Sequence, residues 1–445
     1  MRKSKEGIIM DTEEKAVDTR PAEAEKKPVK AEKKSADAKK NAKKNNRIGR
    51  PPAIVYYPAY FFVALWYRLR YNIHVDRKAL AGRKGPAIVI APHVSGKDHI
   101  LVSMGIFPRR PTFVLSEHFM TGKLRGVLEF MRTISKKMFC PDTRAVVKII
   151  RSAREGNTVV LFPEGRLTWY GRSLEVTDGT AELIRQLGVD VFTVTSSGAG
   201  MTFPKWAKFV RRGRIDVKTE LLIDGSAARS MTADAIDSLI RPALRHDEEK
   251  ALPGVTFRTK DTTAGLDGIL WVCPSCGASE AGVLETSGGH IRCTRCGLDC
   301  TADAHGRISG LPEGLAPGIS ISTVADWYEY CASTVDISVP LVMPVSVSAT
   351  DAEGFMRRDI GLATLTVTSD TVSVEGQIDG EEVSLSAPAS KITAFPITVG
   401  DHIDIYFGGR LHLLSPIPDG RAAIIPVAYL DRVTAARKVA QEVIQ

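Results

Sequence analysis

No stretch of this sequence stays apolar for long enough to cross a bilayer. The most hydrophobic run, Pro52–Tyr67 (PAIVYYPAYFFVALWY), has sixteen residues and contains Pro58. As a helix it would reach only ~24 Å, against a hydrocarbon core ~30 Å thick. Residues 1–25 lack an apolar core followed by a cleavage site, so no secretory signal is expected. Cysteine is scarce: seven in 445 residues, four of them in CxxC pairs. That usage favours a reduced, cytosolic setting over disulfides. Net charge is scarce too beyond the N-terminus. Residues 1–50 hold sixteen Lys/Arg against nine Asp/Glu, so seven of the nine net positive charges lie there. The near-neutral remainder argues against a nucleic-acid-binding body. No internal repeat is visible.

What is present is the composition of a globular protein, 44% hydrophobic and 25% charged, with a length that suggests roughly two to four domains. Four segments separate. Residues 1–50, rich in Lys, Ala and Glu with almost no large apolar residue, read as a disordered basic tail. It is either a weak hold on anionic lipid or a solubilising extension. Residues 51–250 alternate apolar runs with helical patterns. AIVIA (87–91), TFVL (112–115), TVVLF (158–162) and DVFTVT (190–195) read as buried strands, and TRAVVKIIRSARE (143–155), closed by Gly156, as a helix. This alternation predicts an α/β domain with a largely parallel sheet. Residues 271–301 are rich in cysteine. From 335 to 445 the pattern turns to period two and ends in a helix near 427–443, which predicts a small all-β domain with a terminal helix.

Two strand ends of the α/β segment carry polar groups. AIVI runs into APHVSGKDHI (91–100), which places His93 five residues before Asp98. TVVLF runs into FPEGR, which delivers Glu164, Gly165 and Arg166. Sites in open α/β sheets gather at the carboxyl ends of strands, so the two motifs are expected to meet. A histidine has the proton affinity of a general base near neutral pH. A carboxylate on its other nitrogen fixes the tautomer and stabilises the imidazolium.

His-x4-Asp followed some seventy residues later by Phe-Pro-Glu-Gly resembles the glycerophospholipid acyltransferase family, which includes the lysophosphatidic acid acyltransferases. The resemblance covers about residues 55–225. FPEGRLTWYGRSLEVTDGTAELI and MFCPD (138–142) look most similar to the branch that re-acylates 2-acylglycerophosphoethanolamine. It implies His93 as base, Asp98 as its orienting partner, and Glu164 with its block as acceptor-binding. Arg166, by its planar fork, would suit a phosphate. The sequence departs from the family at three places. Pro92 stands where Asn is usual, Asp142 where an Arg is thought to hold the acceptor phosphate, and Thr193 where Pro is usual. Arg144 and Lys148, on one helical face with Arg151, either substitute for that Arg or form a solvated face.

CPSCG and CTRCG give Cys273, Cys276, Cys293 and Cys296, with sixteen residues between the pairs. This is zinc-ribbon spacing. Gly277 and Gly297 let each turn close beside the metal. Four thiolates leave no open position, so structural Zn²⁺ is expected, with rubredoxin-like iron as the lesser alternative. His290 and Cys300 are surplus, and Cys140 and Cys331 read as small core residues. The last hundred residues loosely resemble a pleckstrin-homology-like or GRAM-like module.

The aromatic run 52–67 reads as a monotopic anchor in one leaflet, or else as a core helix. KWAKFVRRGR (205–214), with Trp206 and Phe209 among its bases, suits a membrane interface. The reading that results is a membrane-surface O-acyltransferase on the cytoplasmic face. It would move an acyl group from acyl-CoA or acyl-carrier protein to a lysophospholipid-like hydroxyl. The alternative is a degenerate acyltransferase-fold adaptor that displays a zinc ribbon. Acyl chain length, headgroup and oligomeric state are left open by the residue pattern.

Overall fold

The computed structural model describes residues 48–444 except 121–124, 138–141, 314, 316–318, 352–355 and 393. The basic tail to residue 47, and Cys140 with most of MFCPD, therefore lie outside the described residues.

The first domain is built on seven strands: β1 (Asn72–Asp76), β2 (Ala87–Ile90), β3 (Pro111–Ser116), β4 (Ile134–Lys136), β5 (Thr158–Leu161), β6 (Asp190–Ser197) and β7 (Arg214–Ile223). Their order is β1-β7-β6-β2-β5-β3-β4. Strands β2 to β6 are mutually parallel. β7 runs against β6, and β1 lies parallel to β7. The sheet is thus largely parallel, with a reversed pair at one edge. The central strand Ala-Ile-Val-Ile is buried throughout, because helices cover both faces. Ala87 and Val89 pack with α1 (Ala53–Arg70) and α2 (Asp98–Ile106). Ile88 and Ile90 face the other layer, α3 (Thr143–Arg154), α4 (Thr180–Leu187) and α5 (Ala233–Leu244). α2 lies very close to the sheet at Gly105, where a Cβ would come within 3.0 Å of both Thr219 and Val194.

α1 has two unlike faces. Tyr56, Ala64 and Tyr67 are buried, and Tyr60 stacks on Phe107 at 4.6 Å. Ile54, Phe61, Phe62, Leu65, Trp66 and Leu69 are exposed, Phe62 at 74% and Leu69 at 80%. Among the described residues no helix is long and apolar enough to cross a membrane.

Beyond residue 270 the chain forms a four-stranded antiparallel sheet of β8 (Leu284–Ser287), β9 (His290–Cys293), β10 (Asp299–Ala302) and β11 (Ile308–Ser309). Helix α6 (Val324–Ser333) follows. A second antiparallel sheet then holds β12 (Leu341–Thr350), β13 (Met356–Val367), β14 (Thr371–Ile378), β15 (Glu381–Pro388), β16 (Ile397–Thr398), β17 (His402–Phe407) and β18 (Arg410–Pro416), in the order β15-β14-β13-β12-β18-β17-β16. Helix α7 (Ile424–Ile444) closes it. These pieces are not independent beads. Cys273, Ile291, Trp327, Phe395 and Tyr429 belong to one apolar core, which also takes in Trp169 and Trp206 from the first domain. Cys331 is part of that core, as its apolar setting suggested.

Candidate active site

Because β2 and β5 are parallel neighbours, their ends come out at one edge and bring His93 and Glu164 together. His93 Nδ1 lies 2.8 Å from Asp98 Oδ2. Asp98 opens α2 and is 1% exposed. Its oxygens also accept from Ser95 N at 2.9 Å and Ser95 Oγ at 2.7 Å. Three donors therefore lock the carboxylate, and the carboxylate locks the ring. One imidazole face stacks on Phe162 at 4.4 Å. Nε2 has no hydrogen-bond partner among the described residues, and the His93 side chain is 27% exposed. A half-exposed imidazole with its far nitrogen held and its near nitrogen open is arranged to take a proton from something arriving from outside.

Glu164 is built into the turn beside the base. It is 3% exposed. Its Oε1 accepts from His93 N at 2.9 Å and its Oε2 from Leu174 N at 2.8 Å. Both oxygens are thus engaged by backbone within the site. Burial pushes the carboxyl up to about 7, although the two N–H bonds pull the other way. Gly165 makes the turn, with φ of 76° and its N–H bonded to Phe162 O. The turn returns at once to the base, since Thr168 N donates to His93 O at 2.9 Å.

Arg166 corrects the sequence reading. It is ion-paired to Asp431 of α7, with its guanidinium 4.8 Å over the Trp169 ring and its side chain 9% exposed. It is committed to the C-terminal module, not open to a phosphate. Arg144 and Lys148 are exposed on α3. α3 connects β4 to β5, and β4 stands three places from β2 in the sheet order. Asp142, the departure from the family pattern, caps this helix by accepting from Ala145 N. It also accepts from Lys137 N at 2.9 Å.

KWAKFVRRGR is divided between core and solvent. Trp206 is buried in the shared core. Arg211, 1% exposed, lies 4.7 Å over the Trp206 ring and donates to Ala304 O and Thr262 O. Phe209 and Val210 stay exposed. The two carbonyls belong to the chain on either side of the cysteine-rich segment, Thr262 before it and Ala304 after it, so Arg211 ties its own stretch to both flanks of that segment.

Of two further elements of the site, one carries a local sequence signal. Ser95, three residues before Asp98, follows the Ser-x-x-acid spacing of a capping box and was legible on that ground. Glu248 was not. It is 2% exposed and accepts from Gly198 N, Gly200 N and His246 Nε2 at 2.7–3.0 Å. Its backbone partners are 48 and 50 residues away in sequence.

The four cysteines converge, with all four Sγ atoms within 4.8 Å of one another. Cys273 and Cys296 lie 3.7 Å apart, Cys276 and Cys293 3.8 Å. Four sulfurs at the usual Zn–S length span edges of about 3.8 Å, so the cluster fits a tetrahedral ion. His290 pairs instead with Asp299 at 2.7 Å, and Cys300 is buried against Ile291 O. Both are surplus to the four.

Residues 72–197 match the family model described as Acyltransferase. The match takes in His93, Asp98 and Glu164 and ends before the cysteine-rich segment. This part of the chain is thus similar to acyltransferases at the level of a domain. The chain is also similar to the crystal structure of the 1-acyl-sn-glycerophosphate acyltransferase from Thermotoga maritima. The identity is 16%, over 41% of this chain and 75% of that one, with a TM-score of 0.35. That score is too low for the likeness to bear on the fold.

Proposed function

We propose that the protein is a membrane-surface O-acyltransferase of the glycerophospholipid acyltransferase type. It would transfer an acyl group from a carrier thioester, acyl-CoA or acyl-carrier protein, to the hydroxyl of a lysophospholipid-like acceptor. The observation that carries this is the His93–Asp98 pair at the carboxyl edge of the sheet, with Nε2 open and Nδ1 held at 2.8 Å.

His93 Nε2 takes the acceptor hydroxyl proton as the oxygen attacks the thioester carbonyl. Asp98, anchored by Ser95, balances the imidazolium. When the C–S bond breaks, the same nitrogen returns the proton to the leaving thiolate. The substrate oxygen is the nucleophile, so no covalent acyl-enzyme is needed. Glu164 acts by holding His93 N, and the exposed cations Arg144 and Lys148 would be offered to an acceptor phosphate. Cys273, Cys276, Cys293 and Cys296 would hold Zn²⁺, which supplies folding energy rather than chemistry. One zinc per chain by elemental analysis, lost in Cys273→Ser, is the expected result.

The exposed apolar stripe of α1 supports an interfacial site of action, with the aromatic side chains at headgroup depth. The seven-stranded antiparallel meander capped by α7 supports the pleckstrin-homology-like reading of the last domain. A second reading, a non-enzymatic adaptor, draws on Arg166, whose engagement with Asp431 removes one expected phosphate ligand.

The deciding experiment supplies a labelled acyl thioester, as CoA or carrier protein, to the enzyme with a lipid extract and compares wild type with His93→Ala. Labelled phospholipid should form with wild type and fall by ~10²–10⁴ with the variant. A folded His93→Ala protein within a few fold of wild type would overturn the mechanism. No product from any acceptor would favour the adaptor.

A further inference from the structure

The turn that fixes the base is held in part from outside the first domain. Residues 165–174 leave β5, return Thr168 N to His93 O, and deliver Leu174 N to Glu164 Oε2. Gly165 and Gly171 bracket much of this span with φ of 76° and 88°. Their backbones impose little conformation of their own. Residues 171–173 are bridged to 246–248 of the first domain, by Glu248 N to Gly171 O at 2.9 Å and Ser173 N to His246 O at 2.8 Å, so the remainder, 166–170, depends on what its side chains hold.

Four of the loop's side chains go to the appended module, although Arg172 also pairs with Asp247 of the first domain at 3.4 Å. Arg166 pairs with Asp431 of α7. Trp169 enters the core shared with the cysteine-rich segment and the β domain. Tyr170 stacks on Tyr328 of α6 at 4.4 Å. Arg172 bonds Asp326 at 2.6 Å and Glu329 at 2.7 Å, both on α6. The two helices are joined in turn, since Arg432 of α7 donates to Ala332 O of α6.

We propose that the appended module positions the catalytic turn. α6 and α7 hold residues 165–174 in the conformation that fixes His93 and Glu164, with Asp431 and Asp326 as positioning residues that act through Arg166 and Arg172. The module is then an internal activator of the first domain and not a spacer. The consequence for activity rests on the reading of His93 as the base, whereas the mechanical coupling does not. This arrangement also accounts for the fate of Arg166. An arginine after the Phe-Pro-Glu-Gly turn serves here to tie the turn down.

The test uses the full chain and two variants, Asp431→Asn and Arg172→Gln, each read by hydrogen exchange and by kinetics. If the module holds the turn, peptides covering 165–175 and 92–95 should exchange at least about 10-fold faster in each folded variant. Peptides from β6 and β14 should be unchanged. Arg172 sits nearer the surface than Arg166, so its variant keeps the test usable if Asp431→Asn fails to fold. In the acylation assay, kcat should fall about 10- to 100-fold with KM within about twofold, because a misplaced base costs rate and not binding. Asp431→Glu should recover part of the loss. Unchanged exchange at Thr168 and Leu174 in both variants would overturn the proposal, as would a fall in kcat without faster exchange. If wild type transfers no acyl group at all, the functional reading fails and the exchange data still decide the coupling.

Discussion

The first domain and its border contain two histidine–carboxylate pairs with opposite exposure. His93 meets Asp98 at 2.8 Å, and its side chain is 27% exposed. His246 meets Glu248 at 3.0 Å, and its side chain is 7% exposed. In the first pair the carboxylate is held by Ser95, so its hold on the ring leaves Nε2 turned outward. In the second, Glu248 is divided among His246, Gly198 N and Gly200 N, so it ties the chain after α5 to the end of β6. A histidine beside a carboxylate is therefore no mark of catalysis. What separates the two is where the carboxylate's other bonds go and whether the ring keeps an open nitrogen.

Substitution can break this contrast. Asp98→Asn keeps the size of the side chain but lets the amide present N–H to Nδ1, which favours the wrong tautomer. The rate of acyl transfer should fall by about 10²-fold or more. Glu248→Gln removes a buried charge that accepts three bonds. It should cost about 2–4 kcal/mol of stability, with a much smaller loss of rate than Asp98→Asn. Urea unfolding midpoints and kcat/KM, measured on both proteins, check the pair of outcomes. A rate loss at Glu248→Gln equal to that at Asp98→Asn would show that the buried pair takes part in the chemistry.

The two aromatic, basic stretches make a second contrast. Both look suited to lipid by composition. α1 presents a stripe of large apolar side chains to solvent, while the second stretch keeps Phe209 and Val210 exposed but buries Trp206 and Arg211 against each other. Changing Phe61, Phe62 and Trp66 together to Ser should release most of the protein from anionic liposomes in a flotation assay, with little change in melting. Trp206→Ser should do the reverse, lowering stability by about 3 kcal/mol and leaving flotation intact. A triple variant that floats like wild type would mark the α1 stripe as a surface with no lipid role.

The sequence made the carboxyl edge of the sheet legible because short apolar runs that stop at a polar motif are a local signal. Strands β2, β3, β5 and β6 lie within a few residues of where the runs put them, and His93, Asp98 and Glu164 meet as that placement requires. The CxxC pairs converge for the same reason, since their spacing is encoded within about twenty residues. Long-range partners escaped. β1 and β7 reverse the edge of the sheet, and β7 alternates apolar with charged residues, so no buried run announces it. Nothing near Arg166 points to Asp431, 265 residues on. The residues of KWAKFVRRGR were read by type, and type does not tell which of two apolar settings, lipid or another part of the chain, will take a tryptophan.

The smallest expected effect concerns pH, where two buried histidines titrate with opposite sign. Burial disfavours a charged His246, but the Glu248 carboxylate outweighs it and the pKa lies above its ordinary value. The folded chain then holds that proton more tightly than the unfolded one. The contribution is complete below about 6.5, the unfolded value, and is lost as pH rises through the folded value. His412, on β18, has the reverse setting. Burial first, and the neighbouring Arg410 charge second, push it down to about 4. The unfolded chain takes this proton first, so the contribution is present above about 6.5 and is lost as pH falls through about 4. Acid should therefore loosen the β domain and base the Glu248 tie. Hydrogen exchange at pH 5 and pH 8.5, corrected for intrinsic rates, separates the two regions. His412→Gln should flatten the acid limb of β17 and β18 while leaving the base limb near Gly198 as it was. An acid limb that persists in His412→Gln would assign the loss to the domain's carboxylates instead.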